Sequence, residues 1–251
     1  MAVLPAVSWS RALRLDPTCL VIGSMAPDFE YFARGELAGS GFSHTFAAIA
    51  LWGVPVTLLV ATLFHRVVLW PALLAAPATL RVAPRGWPGP LSIATLGSLI
   101  VSAALGDLTH VLWDGVTHAE GVVTRNAAAL QTMFALPVVG DMALYRILQH
   151  TSTAIGVCAV AWYAVGRLRA AARLASPGTV AVARARWAFA IGVAIAAALA
   201  VIRLHIKHVH DPGSLIAGSI SGLLAGSLIA SLILRAPARR YRASGPWVSA
   251  S

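Results

Sequence analysis

Residues 91–113 read LSIATLGSLIVSAALGDLTHVLW, with no charged side chain before Asp107. A spanning helix needs roughly 20 mostly apolar residues, because a hydrocarbon core of about 30 Å is crossed at about 1.5 Å per residue. This stretch meets that requirement, and so do Phe46 to Phe64, Trp187 to Arg203 and Gly213 to Leu234. A fifth stretch, Thr151 to Val165, is shorter and borrows Ile147 and Leu148 at its start. Composition agrees: of 251 residues 58% are apolar and 11% charged, whereas soluble domains carry about 25% charged residues. The expected fold is an all-α integral membrane bundle of about five transmembrane helices. Met1 to Arg14 has no basic head ahead of an apolar core, so the first spans are expected to act as the insertion signal.

The two cysteines, Cys19 and Cys158, are too few for a disulfide framework and read as small buried hydrophobes. The net charge of +10 raises the possibility of nucleic acid. The arginines, however, lie in loops beside apolar spans, so the partner they imply is membrane lipid, with no nucleic acid. With five spans, one side carries Arg11, Arg14, Arg34, Arg125, Arg146, Arg203 and Lys207. The other carries the remaining twelve basic residues, in dense clusters such as Arg184 with Arg186 and Arg239 with Arg240. Cytoplasmic loops are enriched in Lys and Arg, which places the amino terminus outside and the carboxyl terminus inside a bacterial cytoplasmic membrane. Along the chain this divides into residues 1–166, a cytoplasmic arginine-rich loop at 167–186, two further spans at 187–234 and a basic tail at 235–251.

Seven of the eight histidines fall on the outer side of this arrangement, all but His65, together with Asp28, Glu30, Asp107, Asp114 and Asp211. Ionisable side chains near a bilayer are costly and are retained for pairing, ligation or pathways. Four motifs collect them: Ala26-Pro27-Asp28-Phe29-Glu30, Ser43-His44-Thr45, the run from Asp107 through His110 and Asp114 to His118, and Leu148-Gln149-His150. His110 and Asp114 are four residues apart, so on a helix they share a face about 5–6 Å apart and can grip one metal ion. A catalytic zinc site uses nitrogen and oxygen ligands with one position open to water, whose pKa falls to about 7. Each motif alone also has a plain reading. His65 reads as interfacial, Asp28 as a helix cap and His150 as a cap of the third span. His110 with Asp114 inside an apolar span also fits a structural hydrogen-bonded pair.

The runs Val21-Ile22-Gly23-Ser24-Met25-Ala26-Pro27-Asp28, Ser43-His44-Thr45-Phe46, Leu63-Phe64-His65-Arg66, His110 to His118 and Leu144 to Thr153 resemble those of the bacterial membrane proteins gathered as domain of unknown function 4184. The resemblance covers roughly Met1 to Tyr163. That family has no established activity. It is similar to membrane-bound metal-dependent hydrolases, and more remotely to zinc phospholipase C and the zinc nucleases. The resemblance implies Asp28, His44, His110 and Asp114 as ligands of one zinc, with His118 and His150 able to hold a further ion. It also implies Asp28 as the base for attacking water; Glu30, the other carboxylate that the motif offers just after Pro27, is the second catalytic candidate. Members usually carry a Ser-His segment ahead of the Ala-Val-Leu-Pro run. Here Met1-Ala2-Val3-Leu4-Pro5 opens the sequence, so that candidate ligand is not in it.

The expected function is a membrane-embedded hydrolase using zinc or another divalent transition metal, one or two ions, on a phosphoester such as a phospholipid headgroup. Arg125 and Arg146 are the candidate phosphate-binding residues. The alternative is a non-catalytic metal-binding membrane protein serving as sensor, scaffold or transporter. The stretch from Arg203 through His205, His208 and His210 to Gly218 is weakly similar to a lipid phosphatase motif at altered spacing, and reads better as a headgroup-binding cluster. Gly218, Gly222 and Gly226 recur every fourth residue and mark a close helix–helix contact.

Overall fold

The computed structural model describes residues 15–34, 41–77, 87–88, 92–137, 140–170, 179–207 and 220–234. The Met1–Pro5 run, His208, His210, Gly218 and the basic tail lie outside these residues, and the side chain of His205 is not described. The chain is mostly helical. Helix α1 is Pro17–Gly23 and α2 is Phe29–Arg34; a 3-10 turn at Phe42–His44 then leads into the long helix α3, Phe46–Ala75. Helix α4 is Ile93–Thr117, followed by the short α5, Val122–Asn126, and α6, Ala128–Gln131. After them come α7, Leu144–Ala170, α8, Thr179–Lys207, and α9, Ile220–Leu234.

The helix starts follow from local chemistry. Asp16 accepts from the Cys19 amide at 2.8 Å, with Pro17 at the first helical position of α1. Thr45 accepts from Ala48 N at 3.3 Å to start α3, and Ser92 accepts from Thr95 N at 3.1 Å to start α4. Each such cap satisfies an otherwise orphaned amide and is worth about 1 kcal/mol.

Three helices are long and apolar enough to cross a membrane, in the segments Phe46–Ala75, Ile93–Asn126 and Val182–Leu199. The five expected are not reached among the described residues. Helix α7 is long, but Gln149 to Thr153 and Arg167 dilute its ends, and α9 is too short as described. The first apolar helix runs on to Ala75 through a π turn at Phe64–Val68, so His65 sits within it rather than at its end. The loop expected at 167–186 is helical to Ala170 and again from Thr179. The all-α expectation also needs a correction. Met133–Leu136 (β1) and Gly140–Ala143 (β2) form an antiparallel hairpin, Met133 opposite Ala143 and Leu136 opposite Gly140. Pro137 follows the end of β1, where it cannot donate to the ladder, and Gly140 opens β2 at a positive φ of 76°.

The chain divides into two compact units: Met1–Pro27, Gly41–Leu58 and Pro90–Gly166 form one, and the remaining residues the other. In the first unit α1 packs along α4 at close range. A Cβ on Gly106 would lie 2.3 Å from Leu20 O and 2.8 Å from Ser24 N, and one on Gly23 would lie 2.5 Å from Ala103 O. Only hydrogen fits at both places, so the two backbones meet there. Asp16 N donates to Ser102 Oγ at 2.8 Å, Trp52 Nε1 to Ala26 O at 3.1 Å, and Trp113 Nε1 to Ser152 Oγ at 3.1 Å. These bonds satisfy polar groups that lipid cannot. Cys19 is fully buried here, and burial, reinforced by the Asp16 carboxylate, pushes its thiol well above the ordinary range, so it packs as a neutral group. Cys158, expected to be buried, is instead exposed on α7.

In the second unit Leu74, Ala185, Ala188, Ala230 and Leu234 form the core, with Trp70 and Phe189 against it. Gly226 lies against Gly192, and Gly222 against Ala196. Gly222 and Gly226 of the small-residue repeat are therefore met by α8 of the same chain.

Candidate metal centre

The centre lies in the first unit, where α4 ends. Its focus is the Asp114 carboxylate. His110 Nε2 is 3.1 Å and His44 Nε2 3.4 Å from Asp114 Oδ2, while His118 Nδ1 is 3.3 Å from Oδ1. The His44 and His110 rings meet edge-on at 5.4 Å. His110 and Asp114 face each other because they are four residues apart on α4. His44 arrives from the 3-10 turn that precedes α3, and His118 from the residue that terminates α4. His110 is 14% exposed and His118 49%, so the set runs from a sheltered inner end to an open rim.

The outer nitrogens show which protons are present. His110 Nδ1 lies 2.8 Å from Ser24 O. A carbonyl can only accept, so Nδ1 carries the proton and donates. In the neutral ring Nε2 is then a lone pair pointing at a carboxylate oxygen. Two acceptors 3.1 Å apart repel unless a cation lies between them, either a metal ion or a second proton. The separations suit a metal. Two ligand atoms each about 2.0 Å from zinc at the tetrahedral angle are about 3.3 Å apart. The pairs at 3.1 and 3.4 Å match two edges of such a tetrahedron. Second, Ser43 Oγ lies 3.0 Å from His44 Nδ1, so both inner histidines have a partner fixing the ring from behind, as metal-ligating histidines do. The donor set therefore fits a divalent transition metal.

The remaining expected residues fall as follows. Asp28 is the first residue of the second unit, and its carbonyl accepts from Phe32 N at 3.1 Å where α2 begins. Glu30 forms an ion pair with Arg34 at 3.5 Å, one helical turn on. His150 is exposed on α7 and takes no part in the contacts around Asp114; Gln149, one residue earlier, reaches His118 at 3.0 Å. Arg125 is exposed and 3.9 Å from Glu120, and Arg146 is exposed. His65, in the second unit, stacks on Trp87 at 4.5 Å between ring centroids.

Sequence reasoning missed three contributors. Gln149 lay inside a recognised motif, but its role depends on where α7 meets the end of α4. The Ser24 carbonyl is a backbone atom that no side-chain pattern reports. Asp107 was read as lying near a span end, yet it is fully buried inside α4, and neither carboxylate oxygen has a hydrogen-bond partner among the described residues. It fills the place of the missing side chain at Gly53, where a Cβ would collide with Oδ2.

No curated protein and no solved structure matches the chain. One family model does, over residues 1–232, almost the whole sequence. The chain therefore belongs to the family described as a domain of unknown function, DUF4184.

Proposed function

We propose that the chain is a membrane-embedded, metal-dependent hydrolase of phosphoesters, with a phospholipid headgroup as the substrate it meets at the outer membrane–water interface. The observation that carries this reading is the approach of His110 Nε2 and His44 Nε2 to one carboxylate oxygen, Asp114 Oδ2, at 3.1 and 3.4 Å, a spacing that a shared cation suits. His44, His110 and Asp114 form the ligand set in the first unit, and the resemblance adds Asp28 as the second carboxylate. When bound, such an ion supplies Lewis acidity toward a phosphoryl oxygen and lowers the pKa of water. The chain's own groups do the rest. Asp28 accepts the proton of the attacking water, Glu30 being engaged with Arg34. Arg125 and Arg146, both exposed, meet phosphate oxygens as substrate arrives, Arg125 exchanging its 3.9 Å contact with Glu120 for the phosphate. No His-Glu-x-x-His motif of the amide-cleaving zinc enzymes occurs in the chain, which turns the reading toward phosphoesters.

The test is a panel of phosphodiesters, phosphomonoesters and phospholipids, assayed in detergent with added zinc against the Asp114→Asn variant. Hydrolysis of at least one class, lost in the variant, is the expected outcome. A zinc-loaded protein inert on every class would leave the non-catalytic reading. That second reading has one observation in its favour: Asp107, a buried carboxyl without a hydrogen-bond partner among the described residues, is the kind of group found along ion pathways.

Sidedness is checked separately. A reporter fused after Ser251 is expected to behave as cytoplasmic, and a tag near Glu120 to react with an impermeant reagent. The reverse pattern would put the site on the cytoplasmic face.

A further inference from the structure

We infer that Gln149 is a positioning residue of the metal centre: its side-chain amide sets the tautomer of His118, making His118 a hydrogen-bond donor to Asp114 and not a metal ligand. The inference rests on the metal reading of the site, and it departs from the equivalence of the histidines that the sequence suggests.

The argument is one of donors and acceptors. Gln149 Nε2 lies 3.0 Å from His118 Nε2. An amide nitrogen only donates, so the ring nitrogen it faces must offer a lone pair. Neutral His118 then carries its proton on Nδ1, which points at Asp114 Oδ1 from 3.3 Å. His110 is the opposite case. Its outer nitrogen faces a carbonyl, takes the proton there, and leaves a lone pair toward Asp114. The two rings approach one carboxylate with opposite polarity, and the difference comes entirely from the group behind each ring.

This divides the work of Asp114. Oδ1 is held by a proton donor at the rim, where His118 is half exposed. Oδ2 is presented to the two inner imidazoles, where an ion can be shared. Holding one oxygen fixes the direction of the other, as outer-shell partners of ligating carboxylates do elsewhere. Trp113 Nε1 donates to Ser152 Oγ, and Ser152 Oγ donates to Gln149 O at 3.0 Å, so the turn of α7 that bears Gln149 is pinned to α4. The amide is thus carried on a fixed piece of backbone.

The first measurement needs no metal. Nitrogen-15 NMR of the metal-free protein in detergent should show His118 protonated at Nδ1, with Nε2 unprotonated, and Gln149→Leu should lose that preference. A wild-type His118 protonated at Nε2 alone would overturn the inference. The second uses zinc and a competing chelator. An asparagine at position 118 keeps an N–H where Nδ1 stood but is a poor zinc ligand. His118→Asn should hold zinc within about threefold of wild type, while His118→Ala and Gln149→Leu weaken it about tenfold. Loss of zinc in His118→Asn as complete as in His110→Ala would make His118 a ligand and refute the inference. Wild-type protein that binds no zinc would instead defeat the metal reading, and the tautomer measurement would still decide the role of Gln149.

Discussion

Asp114→Ala is expected to abolish metal binding by the purified protein. The carboxylate is the one group that all three imidazoles of the centre face, at 3.1 to 3.4 Å. Removing it deletes a ligand and also the negative charge that brings a cation to this end of α4. Losing a hydrogen-bond partner behind a ligand costs about 10- to 100-fold in metal affinity, and loss of a ligand of this kind should exceed about 100-fold. His110→Ala should behave alike, since it removes the ring whose lone pair opposes Asp114. The check is elemental analysis of detergent-purified protein after dialysis against a weak chelator. His65→Ala is the control: it sits in the other unit, stacked on Trp87, and should keep full metal content. Full occupancy in Asp114→Ala would remove the centre from consideration.

Gly106→Ala should be the most damaging small substitution in the first unit. The added Cβ would lie 2.3 Å from Leu20 O and 2.8 Å from Ser24 N, and both obstacles are backbone. No side-chain rotation relieves that, so α1 must move off α4. Overpacking of this type costs about 3 kcal/mol. The consequence reaches the metal centre, because the Ser24 carbonyl that receives the His110 proton belongs to the turn that would be displaced. Reduced thermal stability in detergent should therefore come with weakened zinc binding. Gly97→Ala is the matched comparison. Nothing lies within 4 Å of its added Cβ, and replacing glycine by alanine in a helix interior gains up to about 1 kcal/mol. Equal stability of the two variants would show that the close approach of α1 and α4 is not what holds the unit.

The second example shows why the centre was only half legible beforehand. Spacing of four residues on one helix is a local fact, so His110 and Asp114 could be paired from the sequence. Bringing His44 to the same carboxylate needs α4 beside the start of α3, and bringing Ser24 needs a glycine seam between α1 and α4. Neither is a property of any one segment. The same holds for His118 and His150. Both stand in motifs rich in polar residues, yet one meets Asp114 and the other is exposed, because helical rotation of α7 turns Gln149 toward the end of α4.

Hydropathy alone marked out helices long and apolar enough to cross a membrane, since lipid offers backbone groups no hydrogen bonds and apolar runs of this length must close their own. The motif residues alone determined which histidines and carboxylates to watch. The tertiary structure decided what they do. It buried Asp107 against Gly53, gathered three imidazoles on Asp114, and gave His110 a carbonyl and His118 an amide as partners. The physical reason is that an imidazole's proton sits where its neighbours dictate, and those neighbours are distant in the chain, 86 residues away for His110 and 31 for His118.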